Sequence, residues 1–598
     1  MPSSIRPTSS SAKTEHSLPP ANALSIIIAK TLAVGLFAAL VSTPSYAADS
    51  GYRVNPLDRE LDLQNKQRQQ EEINRQLDKN QRDVQEQQLQ LPEQPELPVQ
   101  SGPTFLINTI TVDPGDKTNP NVNVDDILEK YTGRELGNSD LFGLIRDVTN
   151  RYADKGFSTT TISLVPKNMK QGEVELKVNW GYVEGWLVNG QPPTGPYQKL
   201  LTASAMPNMT GKPLNIHQVD QMVENLNNAA KTARVDIQPS ERVGYSFLNL
   251  VVQEKGLPSL TVRAENSGMD SPSKGRYRYS ASTSISDLLL GNDTLGLNAS
   301  SRRYQLSESN SDYSAGVSYS VPFGYSKVDL RFNHSQYEKR LTGGNYGNYD
   351  TSGDSQSVSA KFSHVLTRGK TDKLSASVEL DHKKSANYIE SALLSVSSLP
   401  YTSLGFGLEH VTQFMGGSLY SDATFTQGLS TWDSHTAAYD KNNQPKHFKK
   451  VAFNTAWSRP LKIADKDFSF SSRIGGQYSS DNLLVAQKMG LGDEFTVRGF
   501  RGPAIWGDQG IYISNTLTRP MQLLNGTVTP LIGVDAGHAR DVKYKDVSGT
   551  IAGLALGVSG SWAHGGGSIT LGLPMYMHRE IRDSTDDAAL YMSTYLTF

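Results

Sequence analysis

Cysteine is absent from all 598 residues. A disulfide scaffold, a thiolate zinc site, an iron–sulfur cluster and a thiol nucleophile are therefore excluded. A basic excess is also lacking: 58 Lys and Arg stand against 60 Asp and Glu, a net charge of −2. Nothing neutralises a phosphate backbone, so nucleic acid is not an expected partner. After residue 41 no stretch is apolar for the ~18 residues that a membrane helix needs. Catalytic signatures are missing as well, with no G-x-S-x-G, no H-E-x-x-H and no P-loop. His564-Gly565-Gly566-Gly567 reads as a hairpin turn rather than a phosphate cradle. No catalytic residue, metal or cofactor is expected.

What is present changes along the chain. Arg6, Lys13 and Lys30 precede the apolar run Thr31–Val41, and Ser45-Tyr46-Ala47 follows as a small-x-small cleavage site. Residues 1–47 read as a secretory signal; the competing reading, a transmembrane anchor, is interrupted by Lys30. An exported chain without a membrane helix can cross a membrane only with strands.

Residues 48–90 form a polar segment. Pro56 suits a helix N1 position after Asn55, and Asp58, Glu60 and Asp62 suit the positive end of a helix dipole. Helix-forming residues continue to about Gln90, but Leu57, Leu61, Ile73, Leu77 and Val84 make too narrow a stripe for a core helix. Such a helix spans solvent or sits in a polar cavity, and the composition also fits a solvated linker. Pro92, Pro95 and Pro98 make residues 91–102 an extended, Pro/Gln-rich spacer.

Two small α/β modules follow, at 103–180 and 181–256. In the first, a strand around Phe105–Val112 precedes a helix capped by Ser139. Leu141, Leu144, Ile145, Val148 and Tyr152 recur on one face of that helix, and Gly156 stops it. Strands at Thr159–Val165 and Gly172–Trp180 complete the module. The second repeats the plan, with strands at Tyr182–Val188, Ala233–Pro239 and Tyr245–Gln253 and a helix at Pro213–Asn228. Neither holds a nucleophile with a base or a metal cluster. Their sheet edges suit capture of an extended peptide.

From 257 to 598 the sequence alternates with period two. Val328, Leu330 and Phe332 alternate with Asp329, Arg331 and Asn333, and Leu374, Ala376, Val378 and Leu380 alternate with Ser375, Ser377, Glu379 and Asp381. A soluble sandwich shows the same alternation. Export, charge on the polar face of strand after strand, and a terminal strand ending in Phe598 favour a membrane barrel with a wet lumen. About sixteen strands fit, and a barrel of that size encloses an aqueous channel. Residues 480–507 form a long connection whose Phe495, Val497 and Phe500 belong inside the barrel. Two strands on, Val528, Ile532, Val534 and Ala536 set a lipid face, so Gly533 and Asp535 point inward. An inward Asp535 needs a cation, and Arg498 is a candidate.

These parts together resemble an outer-membrane transporter of two-partner secretion, the TpsB family of haemolysin, filamentous-haemagglutinin and contact-dependent-inhibition transporters. The resemblance covers essentially the whole mature chain. It rests on Val497-Arg498-Gly499-Phe500, on Gly533-x-Asp535, on the two modules and on the terminal Phe598. It implies a sixteen-stranded transmembrane barrel in the bacterial outer membrane, preceded by two periplasmic POTRA domains. It implies that a helix near Pro56–Gln70, with Pro56, Leu57 and Leu61, threads the pore as a plug, and that the loop folds inward so that Arg498 pairs with Asp535. Phe598 would close the assembly signal read by the barrel assembly machinery, although Thr594 departs from the usual pattern. The expected partners are a large secreted exoprotein, bound by the POTRA domains, and outer-membrane lipid; one chain suffices to close the barrel, so a monomer is expected. An insertase of the same superfamily is the alternative, but such proteins usually carry more POTRA domains and no pore helix. A passive porin or receptor is a further rival; a porin needs no such modules.

Overall fold

The computed structural model describes residues 56–90 and 103–598, apart from 166–168, 257, 268–276, 290, 304–310, 343–347, 396, 433–445, 503, 544–547 and 578–587. The expected signal segment 1–47 and the spacer 91–102 lie outside the described residues.

The first module pairs Thr109–Asp113 in parallel with Glu173–Asn179, which pairs antiparallel with Thr161–Val165. The helix Asn138–Asp154 covers this sheet. Its buried face is Leu141, Leu144, Val148 and Tyr152, packed with Leu176, Val178 and Trp180. Ser139 is not its cap: Gly137 holds that position, two residues earlier, and Asp140 accepts a hydrogen bond from the Gly137 amide at 2.8 Å. That carboxylate satisfies the amide of the cap residue, the half of a capping box that needs no side chain at Gly137. The second module repeats the layout. Tyr182–Val188 runs parallel to Tyr245–Glu254, which pairs antiparallel with Lys231–Pro239. Helices Gly195–Ala205 and Ile216–Leu226 cover this sheet around Leu201, Leu214, Met222, Leu226 and Leu248. The second of these helices is shorter than the expected Pro213–Asn228, because Asn215 caps it by accepting from the His217 amide.

From Leu260 onward sixteen strands pair antiparallel into a closed barrel. The last, Ala589–Thr597, pairs with the first, Leu260–Glu265, from Ser593 with Glu265 to Thr597 with Thr261. Phe598 extends this seam through two backbone hydrogen bonds with Leu260, at 2.9 and 3.2 Å. The outer wall carries exposed Val328, Leu330, Phe332, Phe406, Leu408, Ile532 and Val534. That continuous apolar exposure requires a hydrocarbon solvent. Among the described residues no helix is long and apolar enough to cross a membrane; the strands do so. Three neighbouring strands, Ser326–Thr342, Asn348–Arg368 and Lys373–Ile389, have 17, 21 and 17 residues. Since roughly 9–11 residues span the hydrocarbon, these strands project beyond it at the end opposite the modules.

The second module docks on the turns where the barrel strands begin. Ser204 accepts from the Gly324 amide at 3.1 Å, and Asn225 donates to the Gly324 carbonyl at 2.7 Å. Lys231, buried, reaches Asp287 at 2.7 Å and the Gly291 carbonyl at 2.8 Å.

Candidate functional site: the occupied lumen

Two segments fill the barrel. The first is the connection between strands Lys466–Tyr478 and Gln509–Thr518. It is less irregular than its sequence indicates. Met489–Leu491 and Ile505–Gly507 pair as a short hairpin, too brief to show a period, and Val485–Gln487 forms a 3₁₀ turn. Lys488 anchors its base, with Nζ 2.6 Å from Asp541 and 3.3 Å from Asp508; all three side chains are buried.

The tip of this segment rests on the barrel wall. Arg498 donates from Nε to Asp535 Oδ2 at 2.6 Å and from Nη2 to Oδ1 at 2.7 Å, a bidentate fork. The Arg498 amide adds a third bond to Asp535 at 3.0 Å, and Nη2 reaches Thr516 Oγ1 and the Asn515 carbonyl. Asp535 is 1% exposed, so the pair is shielded from water. The wall gives way for the tip by lacking side chains. A Cβ at Gly533 would lie 2.1 Å from Arg498 Nη2, and one at Gly553 would lie 1.7 Å from the Arg498 carbonyl oxygen. Val497 and Phe500 pack with Leu491, Ile505, Tyr512 and Ile551. Gly499 has φ +126°, a conformation that L side chains rarely adopt. Tyr591 of the last strand completes the seat. Its hydroxyl accepts from the amides of Gly499 and Phe500 and donates to the Phe500 carbonyl at 2.6 Å.

The second segment is one continuous helix, Pro56–Gln90. At 1.5 Å per residue its 35 residues are about 52 Å long; it ends where the helix-forming residues do, at Gln90, and so runs past the Gln70 that the resemblance implies for the plug. The side chains of Pro56 and Leu57 lie outside the described residues; Leu61 is half-buried. A helix polar all round is stable here because the lumen supplies polar partners along its length. Near the end opposite the modules, buried Glu60 accepts from Arg302 Nε at 2.9 Å and Nη2 at 2.6 Å. Ile73 and Leu77 pack on Val411, Tyr420 and Ala456 of the wall.

Helix and loop also hold each other. Lys66 lies 2.7 Å from Asp493 and donates to the Gly490 carbonyl at 2.8 Å. Arg59 donates to the Arg501 carbonyl at 3.2 Å, in the space left by Gly502, where a Cβ would lie 1.8 Å from its Nη2. At the module end, Glu224 of helix Ile216–Leu226 meets Lys79 of the lumen helix, Arg368 at 2.8 Å and Lys373 at 2.8 Å. Burial raises the Glu224 carboxyl, but the charges of Lys373, Lys79 and Arg368 overcome this and hold it well below the usual carboxylate range. A depressed pKa means that this cluster is fully formed above the ordinary value of 4.5 and is lost only as pH falls through the lowered one.

The arrangement is thus a wide membrane channel, blocked by a helix that is anchored through ion pairs to the wall, to an inward loop and to a module outside the membrane. Sequence reasoning singled out Arg498, Asp535, Gly533 and the segment from Pro56. It missed Tyr591, Gly553, the partners of Glu60 and Lys66, and Glu224. The inward-facing glycines were readable in principle as gaps in the alternation of strand Gly549–Trp562.

This fold and its occupied lumen define an outer-membrane transport barrel with periplasmic modules. The chain belongs to the haemolysin secretion/activation protein family ShlB/FhaC/HecB, whose signature matches residues 244–560. Residues 105–181 match a ShlB-type POTRA domain and 182–239 a POTRA domain. The chain is 28% identical over 488 residues to the outer membrane transporter CdiB of Escherichia coli O6:K15:H31, covering 79% of each. It is 26% identical to the hemolysin transporter protein HpmB of Proteus mirabilis, covering 68% of this chain and 71% of that one. The solved structure of CdiB from Escherichia coli matches with a TM-score of 0.81 at 25% identity, over 92% of this chain and all of that one. The barrel accordingly sits in the outer membrane, with the POTRA domains facing the periplasm.

Proposed function

We propose that this chain is the dedicated export pore for one large exoprotein, which it moves from the periplasm to the cell surface by two-partner secretion. The observation that carries the reading is the lumen helix. Its anchors are ion pairs and hydrogen bonds rather than a large apolar core, so water can replace them when the helix leaves. The exoprotein would dock on the POTRA sheet edges and pass unfolded through the vacated lumen. Its folding outside would supply the drive, since no step here needs a catalytic group. We read Arg498 and Asp535 as the pair that keeps the loop seated while the helix leaves, and Phe598 as the end of the signal for the barrel assembly machinery. The working unit is one chain, because a single chain closes the barrel.

The test compares the proteins of the medium, the cell surface and the outer membrane with and without the gene. Loss of one large secreted or surface protein, with other barrels at normal levels, is expected. Loss of many barrels would instead identify an insertase.

Glu224 supports a second, smaller expectation. Glu224→Gln leaves Lys79, Arg368 and Lys373 without their counter-charge and loosens the helix at the periplasmic end. A loss of about 1 kcal/mol corresponds to a rise of about fivefold in open-channel probability. Single-channel recording in planar bilayers measures it.

A further inference from the structure

We propose that helix Gly195–Ala205 of the second POTRA domain lies in the headgroup region of the periplasmic leaflet, with Tyr197 and Leu200 inserted beside the turn residues Leu288 and Leu289. The helix has two faces. Leu201, Thr202, Ser204 and Ala205 are buried against the module and the barrel turns. Tyr197, Leu200 and Ala203, spaced by three, remain exposed. Tyr197 is 49% and Leu200 40% exposed, and in the adjoining turn Leu288 is 50% and Leu289 68% exposed. Three leucines and the ring of Tyr197, whose hydroxyl bonds to Asp287 of the turn, are costly to leave in water, at roughly 25 cal/mol per Å² of apolar surface.

The helix and the turn form one surface. A Cβ at Gly291 would lie 3.6 Å from the Leu201 amide nitrogen and 3.9 Å from Leu200 Cγ. Asn292 donates to the Leu201 carbonyl at 3.2 Å and to Ser204 Oγ at 2.7 Å. These bonds fix the helix against the barrel rather than leaving it on a loose module.

The turn hangs from the lipid side of the wall. Exposed Leu297 pairs with Thr283, which places Ile285 and its partner Leu295 on the same outer face. Tyr319 pairs with Leu295 on that face, and its hydroxyl donates to Asp293 at 2.9 Å inside the turn. The apolar surface is also continuous with an interface that the barrel already has. At this same end, Phe323, Met415, Leu524, Trp562 and Phe598 are exposed around the rim. A ring of this kind sits at the membrane–water boundary. Gly291, two residues beyond Leu289, lies against Leu200, so a leaflet that covers the ring at this turn would reach Leu200. Tyr has the amphipathic shape favoured at that depth, and exposed Lys199 can reach lipid phosphates. The occupant is therefore phospholipid, and the consequence is a POTRA domain held at a fixed height on the membrane.

The absence of cysteine makes the test direct. Leu200→Cys, Leu289→Cys and, as a solvent reference, Val243→Cys (96% exposed) each give one labelling site on the full chain. Each variant carries an environment-sensitive fluorophore in vesicles of phosphatidylethanolamine and phosphatidylglycerol. Labels at 200 and 289 are expected to be quenched by shallow nitroxide lipids and several-fold less by iodide than the label at 243. Equal iodide quenching at 200 and 243 would overturn the proposal, even if 289 were protected, because the lipid would then end at the barrel. Protection at 200 that needs added exoprotein and is absent in lipid alone would also overturn it. If labelling at 200 prevents assembly, Tyr197→Cys reports the same face.

Discussion

Asp535→Ala is expected to abolish export while leaving the barrel in the membrane. The substitution removes the acceptor of three hydrogen bonds from Arg498. The guanidinium is then left in a site that was 1% exposed at the carboxylate. Stranding one member of a buried ion pair costs about 3–5 kcal/mol. At about 1.4 kcal/mol per decade this lowers the population of the seated loop by roughly 10² to several times 10³. Arg498→Lys is expected to fail similarly, because an ammonium cannot reproduce the fork onto both carboxylate oxygens. The double variant Arg498→Ala, Asp535→Ala strands no charge, so its loss should fall well short of the sum of the single losses. Export of the exoprotein, measured beside the heat-modifiable mobility of the folded barrel, separates loss of the loop from loss of the fold. Normal export by Asp535→Ala would mean that the pair has no part in gating.

The second large effect concerns the helix. Deleting residues 56–90 is expected to convert a mostly closed channel into one with a steady, high conductance. A sixteen-stranded barrel encloses water, and a helix with its side chains is about 10–12 Å across. With the helix gone, the loop also loses the contacts of Lys66 with Asp493 and of Arg59 with Arg501. More frequent loop fluctuations should therefore appear as current noise above the raised baseline. If the deletion leaves the conductance of the full-length chain unchanged, the helix is not the plug.

Some of this was legible in the sequence and some was not, for physical reasons. The barrel was legible because a wall with lipid outside and water inside writes period two into each strand, as in Val328–Asn333. The lumen helix was legible as a conflict: strong helix formers with no apolar face need a polar enclosure. Its end at Gln90 was legible too, because helix formers continue to that point and Pro92 follows. The pairing of Arg498 with Asp535 could be suggested from an inward acid and a loop cation. The contacts of Glu60 with Arg302 and of Glu224 with Lys79, Arg368 and Lys373 could not. Each joins residues more than 140 positions apart, and their charged side chains look like any others on a polar face. Tyr591 was hidden for another reason. On a terminal strand an inward tyrosine reads as ordinary alternation, and its role depends on where a loop some 91 residues earlier comes to rest.

The most direct test of the account asks whether the space held by the helix is the path of the exoprotein. Gln64 donates to Ser314 of the wall at 3.1 Å. Gln64→Cys with Ser314→Cys, bridged by a short reducible bis-thiosulfonate, ties the helix in place in a chain with no other cysteine. The account predicts that bridging stops export, that reduction restores it, and that neither single variant responds to the reagent. Undiminished export through a fully bridged population would contradict it.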